Sequence, residues 1–92
     1  PALTALVIEA LALNADLRAS AARVELDGSN ANAYHNRGST FDKMNRLEEA
    51  TMDFTRAIEL DPKNASSYNS RGLARDRVGM RDEALADFGA AI

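Results

Sequence analysis

His35 is the single histidine of a 92-residue chain that has no cysteine. A zinc site needs several thiolates or imidazoles, and acyl transfer needs a hydroxyl, a histidine and a carboxylate that converge. Ser39, Thr40, Ser66, Ser67 and Ser70 supply hydroxyls. One imidazole at no motif spacing gives none of them a general base, so His35 reads as a groove or surface side chain. The acidic pairs Glu48-Glu49 and Asp82-Glu83 could in principle share a proton. Each stands where a helical pattern begins, and there a carboxylate complements the helix dipole. No glycine-rich loop follows a strand, so nothing cradles a nucleotide phosphate. These residues predict no catalytic group, no metal site and no cofactor.

The elements that carry these side chains are read from composition. Eighteen residues are alanine, ten are β-branched and five are aromatic. Alanine is the best helix former, while β-branched and aromatic residues favour strands. The chain is therefore expected to be all-α. Without cysteine there is no disulfide framework. That absence, with no signal segment in the sequence given, favours the cytoplasm. Eleven basic and fourteen acidic residues give a net charge of −3. No basic stripe offers a footprint for nucleic acid, and no polybasic amphipathic segment suits a membrane surface. Ala2–Leu13 is nearly all apolar but contains Glu9, lacks a basic leader and is too short to span a bilayer. It is expected to be a buried helix. A start at Pro1 and an end at Ala91-Ile92, inside an apolar pattern, suggest an excerpt of a longer polypeptide.

A shift of 34 residues aligns 31–58 with 65–92, and 11 of the 28 pairs are identical. They are Ala31/Ala65, Tyr34/Tyr68, Arg37/Arg71, Gly38/Gly72, Asp42/Asp76, Glu49/Glu83, Ala50/Ala84, Asp53/Asp87, Phe54/Phe88, Ala57/Ala91 and Ile58/Ile92. Each unit reads as two helices. Tyr34, Arg37, Gly38 and Phe41 share one face of the first helix. Leu47, Ala50, Phe54, Ala57, Ile58 and Leu60 form a stripe on the second. Breaks are expected at Met44-Asn45-Arg46 and Val78-Gly79-Met80-Arg81, because Asn and Gly tolerate the left-handed conformation that ends a helix. Asp61-Pro62 stops the second helix, and Asn64 or Ser66 can cap the next. Gly inside a helix costs about 1 kcal/mol relative to Ala. A glycine repeated at Gly38 and Gly72 therefore implies close approach of a partner helix. Ala50, Ala57, Ala84 and Ala91 would line that contact, with Phe54 and Phe88 as knobs. Arg37 and Arg71 are expected to form structural ion pairs between neighbouring units, with Asp42, Asp53, Asp76 or Asp87.

The order Tyr34, Gly38, Phe41, Ala50, Phe54, Ala57, Pro62 resembles the tetratricopeptide repeat, a 34-residue helix–turn–helix unit. Tyr68, Gly72, Ala84, Phe88 and Ala91 repeat the match, with Arg75 where an aromatic is usual. The resemblance implies a right-handed α-solenoid of antiparallel helix pairs. Residues 1–92 would be one domain: 1–30 a degenerate or partial unit, 31–64 a full unit, and 65–92 a unit truncated in its second helix. In frame, Asp16, Ser20 and Arg23 fall where Ala, Phe and Ala are expected, whereas a one-residue shift would bring Ala15, Ala19 and Ala22 there. Both registers remain open. A helix near Ala2–Leu13, a break at Asn14-Ala15-Asp16 and a helix near Leu17–Leu26 are expected.

In the family, the first helix of each unit lines a concave groove. Carried over, the groove side chains are Asn32, His35, Asn36, Ser39, Asp42 and Lys43, then Ser66, Asn69, Ser70, Leu73, Asp76 and Arg77. The resemblance implies a non-catalytic module that binds a protein or peptide segment and scaffolds a complex. Members that grip chaperone C-terminal carboxylates use Lys, Asn, Asn, Lys and Arg over three units. Here Asn36 matches, but Pro1, Ala5, Ser66 and Ser70 replace the rest, so no such clamp is expected. A second reading is a regulatory or substrate-presenting arm of a larger enzyme. The glycosyltransferase of nuclear and cytosolic proteins carries a ladder of groove asparagines, which Asn36 fits and Ser70 does not. A third reading is self-association through open solenoid ends.

Overall fold

The computed structural model describes residues 4–92. Five helices follow in order: α1 (Ala5–Leu26), α2 (Ala31–Lys43), α3 (Leu47–Leu60), α4 (Ala65–Arg77) and α5 (Arg81–Ala91). No strand occurs among the described residues. Pro1, Ala2 and Leu3, which enter the expected first helix and the clamp comparison, lie outside them.

The helix starts follow from capping chemistry. Asn30 Oδ1 accepts from the Ala33 N–H and Asn64 Oδ1 from the Ser67 N–H, both at 3.2 Å. Asn64, not Ser66, is thus the cap of α4. Thr4 does the same for α1, accepting from Val7 N–H. No side chain caps α3 or α5. Their first turns carry Glu48, Glu49, Asp82 and Glu83, as the dipole favours. Both breaks within the pairs occur as expected, with Asn45 at φ 60° and Gly79 at φ 87°. At each, the N–H of the next residue reaches back five positions at 2.8 Å, Arg46 to Phe41 O and Met80 to Arg75 O.

α2 packs on α3, α4 packs on α5, and α3 joins the two pairs through α4. The core is Ala33, Phe41, Ala50, Phe54, Ala57, Ile58, Ala74 and Ala84. Leu17 of α1 closes it against Phe41, Ala50 and Phe54. Phe54 is 1% exposed, and burying such a ring contributes roughly 1.5–3 kcal/mol. A Cβ on Gly38 would stand 2.8 Å from Phe54 Cε1 and 3.2 Å from the Ala50 carbonyl oxygen. On Gly72 it would stand 2.7 Å from Phe88 Cε1 and 3.2 Å from the Ala84 oxygen. The internal glycines therefore admit the facing helix, as their repetition implied.

α1 differs from the expected pair. It runs unbroken through Asn14-Ala15-Asp16 for 22 residues. The repeat register gives the reason. The left-handed positions Asn45 and Gly79 correspond to Leu11, 34 residues before Asn45. Leucine resists that conformation, and the alanines around Asn14 favour helix. Nor is the N-terminal half of α1 buried: Leu6 is 79% exposed, with Val7, Ile8 and Leu11 also exposed, and no residue of α1 is buried. The end of α1 fixes the register. Its C-cap Asp27 (φ −144°, ψ 88°) matches the α3 C-cap Asp61 (φ −141°, ψ 85°), and Asn30 and Asn64 both cap the helix that follows. The unshifted frame holds, which puts Ser20 opposite Phe54 and Arg23 opposite Ala57 in the comparison.

Candidate binding groove

Two polar systems hold the helix pairs. Arg37 Nε and Nη2 donate to the two oxygens of Asp53, each at 2.8 Å, across the α2–α3 pair. The Asp53 side chain is 7% exposed and that of Arg37 is 24% exposed. The hydrogen bond to Asp53 raises the Arg37 pKa further above the ordinary arginine range, against a smaller opposing effect of burial. The second pair repeats this fork, with Arg71 donating to Asp87 at 3.0 and 2.8 Å. Arg75 adds a third bond to the same carboxylate at 2.9 Å, while its buried Nε has no partner. These ion pairs lie within units, not between them as expected. What Arg71 sends to the neighbouring unit is one bond to Thr55 Oγ1, at 3.2 Å. The signal was present: both members of the pair recur, 16 residues apart.

The second system ties α2 to α4. His35 Nδ1 lies 3.0 Å from Ser67 Oγ, and its ring tilts on Phe54 with centroids 5.4 Å apart. Ser67 is fully buried. Desolvation lowers the His35 pKa from its ordinary value. His35 is thus half-buried between units instead of free on the surface. Arg77 Nη1 donates to Asp42 Oδ1 at 2.6 Å, and its Nη2 donates to Asn45 Oδ1 at 3.2 Å. Among the described residues this is the ion pair that crosses between units, and it occupies Asp42 and Arg77 of the groove set.

The remaining groove candidates stay open to solvent. Asn32, Asn36, Lys43, Ser66, Asn69 and Leu73 are exposed, and Ser39 and Ser70 are partly exposed. Asp76 is exposed and bonded to Arg81 Nε at 3.4 Å. Asn32 and Asn36 share a hollow of about 260 Å³ between α1 and α2, also lined by Ala19, Ser20, Arg23, Asn30 and Ala33. Ser20 and Arg23 were not among the expected groove residues, because in frame they occupy core positions of a second helix. Their polarity at those positions was the available signal. A second and more apolar hollow lies between α3 and the α4–α5 turn, lined by Leu47, Glu48, Thr51, Met52, Val78 and Met80. Among the described residues no group of three or more His, Cys, Asp or Glu is placed to hold a metal ion, and no helix is long and apolar enough to cross a membrane.

A protein built from antiparallel helix pairs at a 34-residue spacing, with glycine-notched contacts and polar ties between successive first helices, is a helical-repeat protein. The sequence model of the tetratricopeptide repeat matches residues 31–64. Two solved domains are close in both sequence and shape. The second tetratricopeptide domain of Spaghetti (RPAP3), bound to the HSP90 peptide SRMEEVD, is 32% identical with a TM-score of 0.84, over 86% of this chain and 73% of that one. The tetratricopeptide domain of OM64 from Arabidopsis is 31% identical with a TM-score of 0.85, over 94% of this chain and 71% of that one. The chain belongs to the tetratricopeptide-repeat family. It also resembles MamA, at 30% identity and a TM-score of 0.83, over 86% of this chain but only 46% of that one. A comparison with curated proteins found no match.

Proposed function

We propose that this chain is a non-catalytic module that binds an extended peptide or protein segment along α2 and α4 and scaffolds a complex. Its full unit 31–64, its unit 65–92 truncated in the second helix, and its leading helix would act as one domain. The observation that carries this reading is the row of exposed amides and hydroxyls on the first helices, Asn32, Asn36, Ser66 and Asn69, beside an open polar hollow. Amide groups donate and accept, so they can pair with a peptide backbone without demanding one side chain. Stacked helix pairs present such rows as an extended surface. The peptide-bound Spaghetti domain supports the same use of this fold.

No two-carboxylate chaperone clamp is proposed. Ser66 and Ser70 stand where that clamp needs cations, and Arg77 is held by Asp42. Fold alone does not fix a partner. The test is affinity capture with this chain beside an Asn36→Ala, Asn69→Ala double variant. The captured set should shrink for the variant, and identical sets would refute the groove assignment. A role as the regulatory or substrate-presenting arm of a larger enzyme would use the same surface. Self-association through the exposed α1 and α5 faces would instead appear as concentration-dependent mass in light scattering.

A further inference from the structure

The wall that α1 gives to the polar hollow is unlike the inner face of a second helix in a full unit. In α3 that face is Asp53, Phe54 and Ala57, all buried. The corresponding α1 residues, 34 positions earlier, are Ala19, Ser20 and Arg23. A glycine-notched helix packed against them would strand a guanidinium in a contact built for alanine and phenylalanine. This face is therefore made to stay wet. Opposite it stand Asn30, Asn32 and Asn36 of the first turns of α2 and its cap. The lining holds one guanidinium, three amides, one hydroxyl and no carboxylate. The first turn of α2, the positive end of its dipole, also carries no acid.

The arginines sharpen the point. Arg37, Arg46, Arg56, Arg71, Arg75, Arg77 and Arg81 all have a carboxylate partner. Arg18 and Arg23 have no salt bridge among the described residues, and of these two Arg23 lines the hollow. Asp27, one turn further on, is engaged through Oδ1 by the Ser29 hydroxyl at 2.6 Å and the Ser29 N–H at 3.1 Å; these bonds are the main cause that lowers its pKa, and Arg23 adds a smaller electrostatic pull without forming an ion pair. We propose that the α1–α2 hollow is a subsite for one carboxylate of a bound peptide, an Asp or Glu side chain taken by Arg23 and oriented by the amides of Asn32 and Asn36. The proposal rests on the peptide-groove reading and adds the class of side chain the groove selects. A single cation holds a single carboxylate, so this subsite differs from a two-carboxylate clamp.

The test is NMR titration of isotope-labelled chain with two capped tripeptides, Ala-Glu-Ala and Ala-Gln-Ala, both acetylated and amidated so that the side chain is the one difference. The Glu peptide should shift the Arg23 Nε–H and the Asn36 side-chain amide, with affinity on the order of tenfold above the Gln peptide. Added salt should reduce that preference. Arg23→Gln should abolish it, and because Arg23 is exposed the variant should keep the wild-type spectrum elsewhere. Equal response to both peptides, or a preference that survives Arg23→Gln, overturns the subsite. Charge-independent shifts at Asn69 and Ser70 would leave the groove reading standing while overturning this one. Absence of any shift at Arg23 and Asn36 overturns the subsite whatever the capture experiment returns.

Discussion

The glycines at the two helix contacts give opposing energies that can be separated. Replacing Gly38 with Ala adds a methyl group to a helix interior and recovers about 1 kcal/mol of intrinsic propensity. The same methyl would lie 2.8 and 2.9 Å from two Phe54 ring carbons and 3.2 Å from the Ala50 carbonyl oxygen. Carbon pairs are most stable at about 3.5–4.0 Å. The ring must therefore retreat by about 0.7 Å or more, and the carbonyl belongs to a fixed backbone. Phe54 is 1% exposed, with Leu17, Phe41 and Ala50 around it, so its retreat displaces other core groups. Overpacking of this kind costs about 1–3 kcal/mol, and two contacts under 3.0 Å place Gly38 in the upper half. Gly38→Ala should therefore destabilise the chain by about 1–2 kcal/mol net.

Gly72 meets Phe88 at nearly the same distances, 2.7 and 2.9 Å. Phe88, however, is partly exposed on the last helix and can swing outward. Gly72→Ala should cost about 1 kcal/mol or less, since the propensity gain is unchanged. Urea unfolding of the two variants beside wild type reads the difference. A Phe54→Leu background, which removes ring atoms, should soften the Gly38→Ala loss, a coupling measurable as a double-mutant cycle. If Gly38→Ala proves neutral or stabilising, or if the two glycines respond alike, the glycines are not there for ring clearance.

The duplicated ion pairs should also respond unequally. Arg37→Met leaves the buried Asp53 carboxylate without its fork and should cost about 2–3 kcal/mol in thermal or urea unfolding, less than for a fully buried pair because the Arg37 side chain is 24% exposed. Arg75→Phe leaves Asp87 with Arg71, removes an unpartnered buried Nε and restores the aromatic found at Phe41, so it should be neutral or stabilising by up to about 1 kcal/mol. A loss equal to that of Arg37→Met would refute this. Burial lowers the His35 pKa below the ordinary 6.5. Between those two values the unfolded chain binds more protons, so the stability linked to His35 is complete above the ordinary value and declines as pH falls below it. His35→Gln should flatten the pH dependence of urea midpoints in that window, and an unchanged slope would exclude His35 as its source.

The repeat made most of the second and third units legible. Both turns, the glycine contact and the alanine–phenylalanine stripe follow from residues that recur at 34. A comparison by shift detects what is repeated and is blind where one copy departs. It therefore misread α1, whose difference from the later units is its defining property. Leu11 at the left-handed position was the physical reason, and it lies three residues before the break that was expected. Arg23 was missed for a related cause: a family template assigns the groove to first helices, and Arg23 stands on a second helix that has lost its core face. Residue type predicts ion pairs for Arg37 and Arg71, and the structure closes them within units and not between them. Sequence spacing does not say whether a long side chain reaches along its own hairpin or over to the next. His35 was separated from a surface position by Ser67, a small buried hydroxyl that carries no sequence pattern of its own.

The groove set divides by whether each polar group is already used within the fold. His35 is bonded to Ser67, and Arg77 and Asp42 are bonded to each other. A ligand that recruited them would first have to break those ties, which also fix α2 against α4. The part-buried His35–Ser67 bond is worth about 1 kcal/mol to the fold and the more exposed Arg77–Asp42 pair about 1 kcal/mol or less, so using either for a ligand weakens the surface the ligand lies on. Asn32, Asn36, Ser66 and Asn69 are exposed and carry no such inter-helix tie among the described residues. Ligand contacts to them therefore add to the fold without competing with it. The rigid part of the groove and its recognising part are then different residues on the same two helices. Substitution at His35 or Arg77 should alter affinity through groove geometry, together with stability. Substitution at Asn36 or Asn69 should alter affinity alone, and an Asn36→Ala variant that loses stability and binding together would contradict that division.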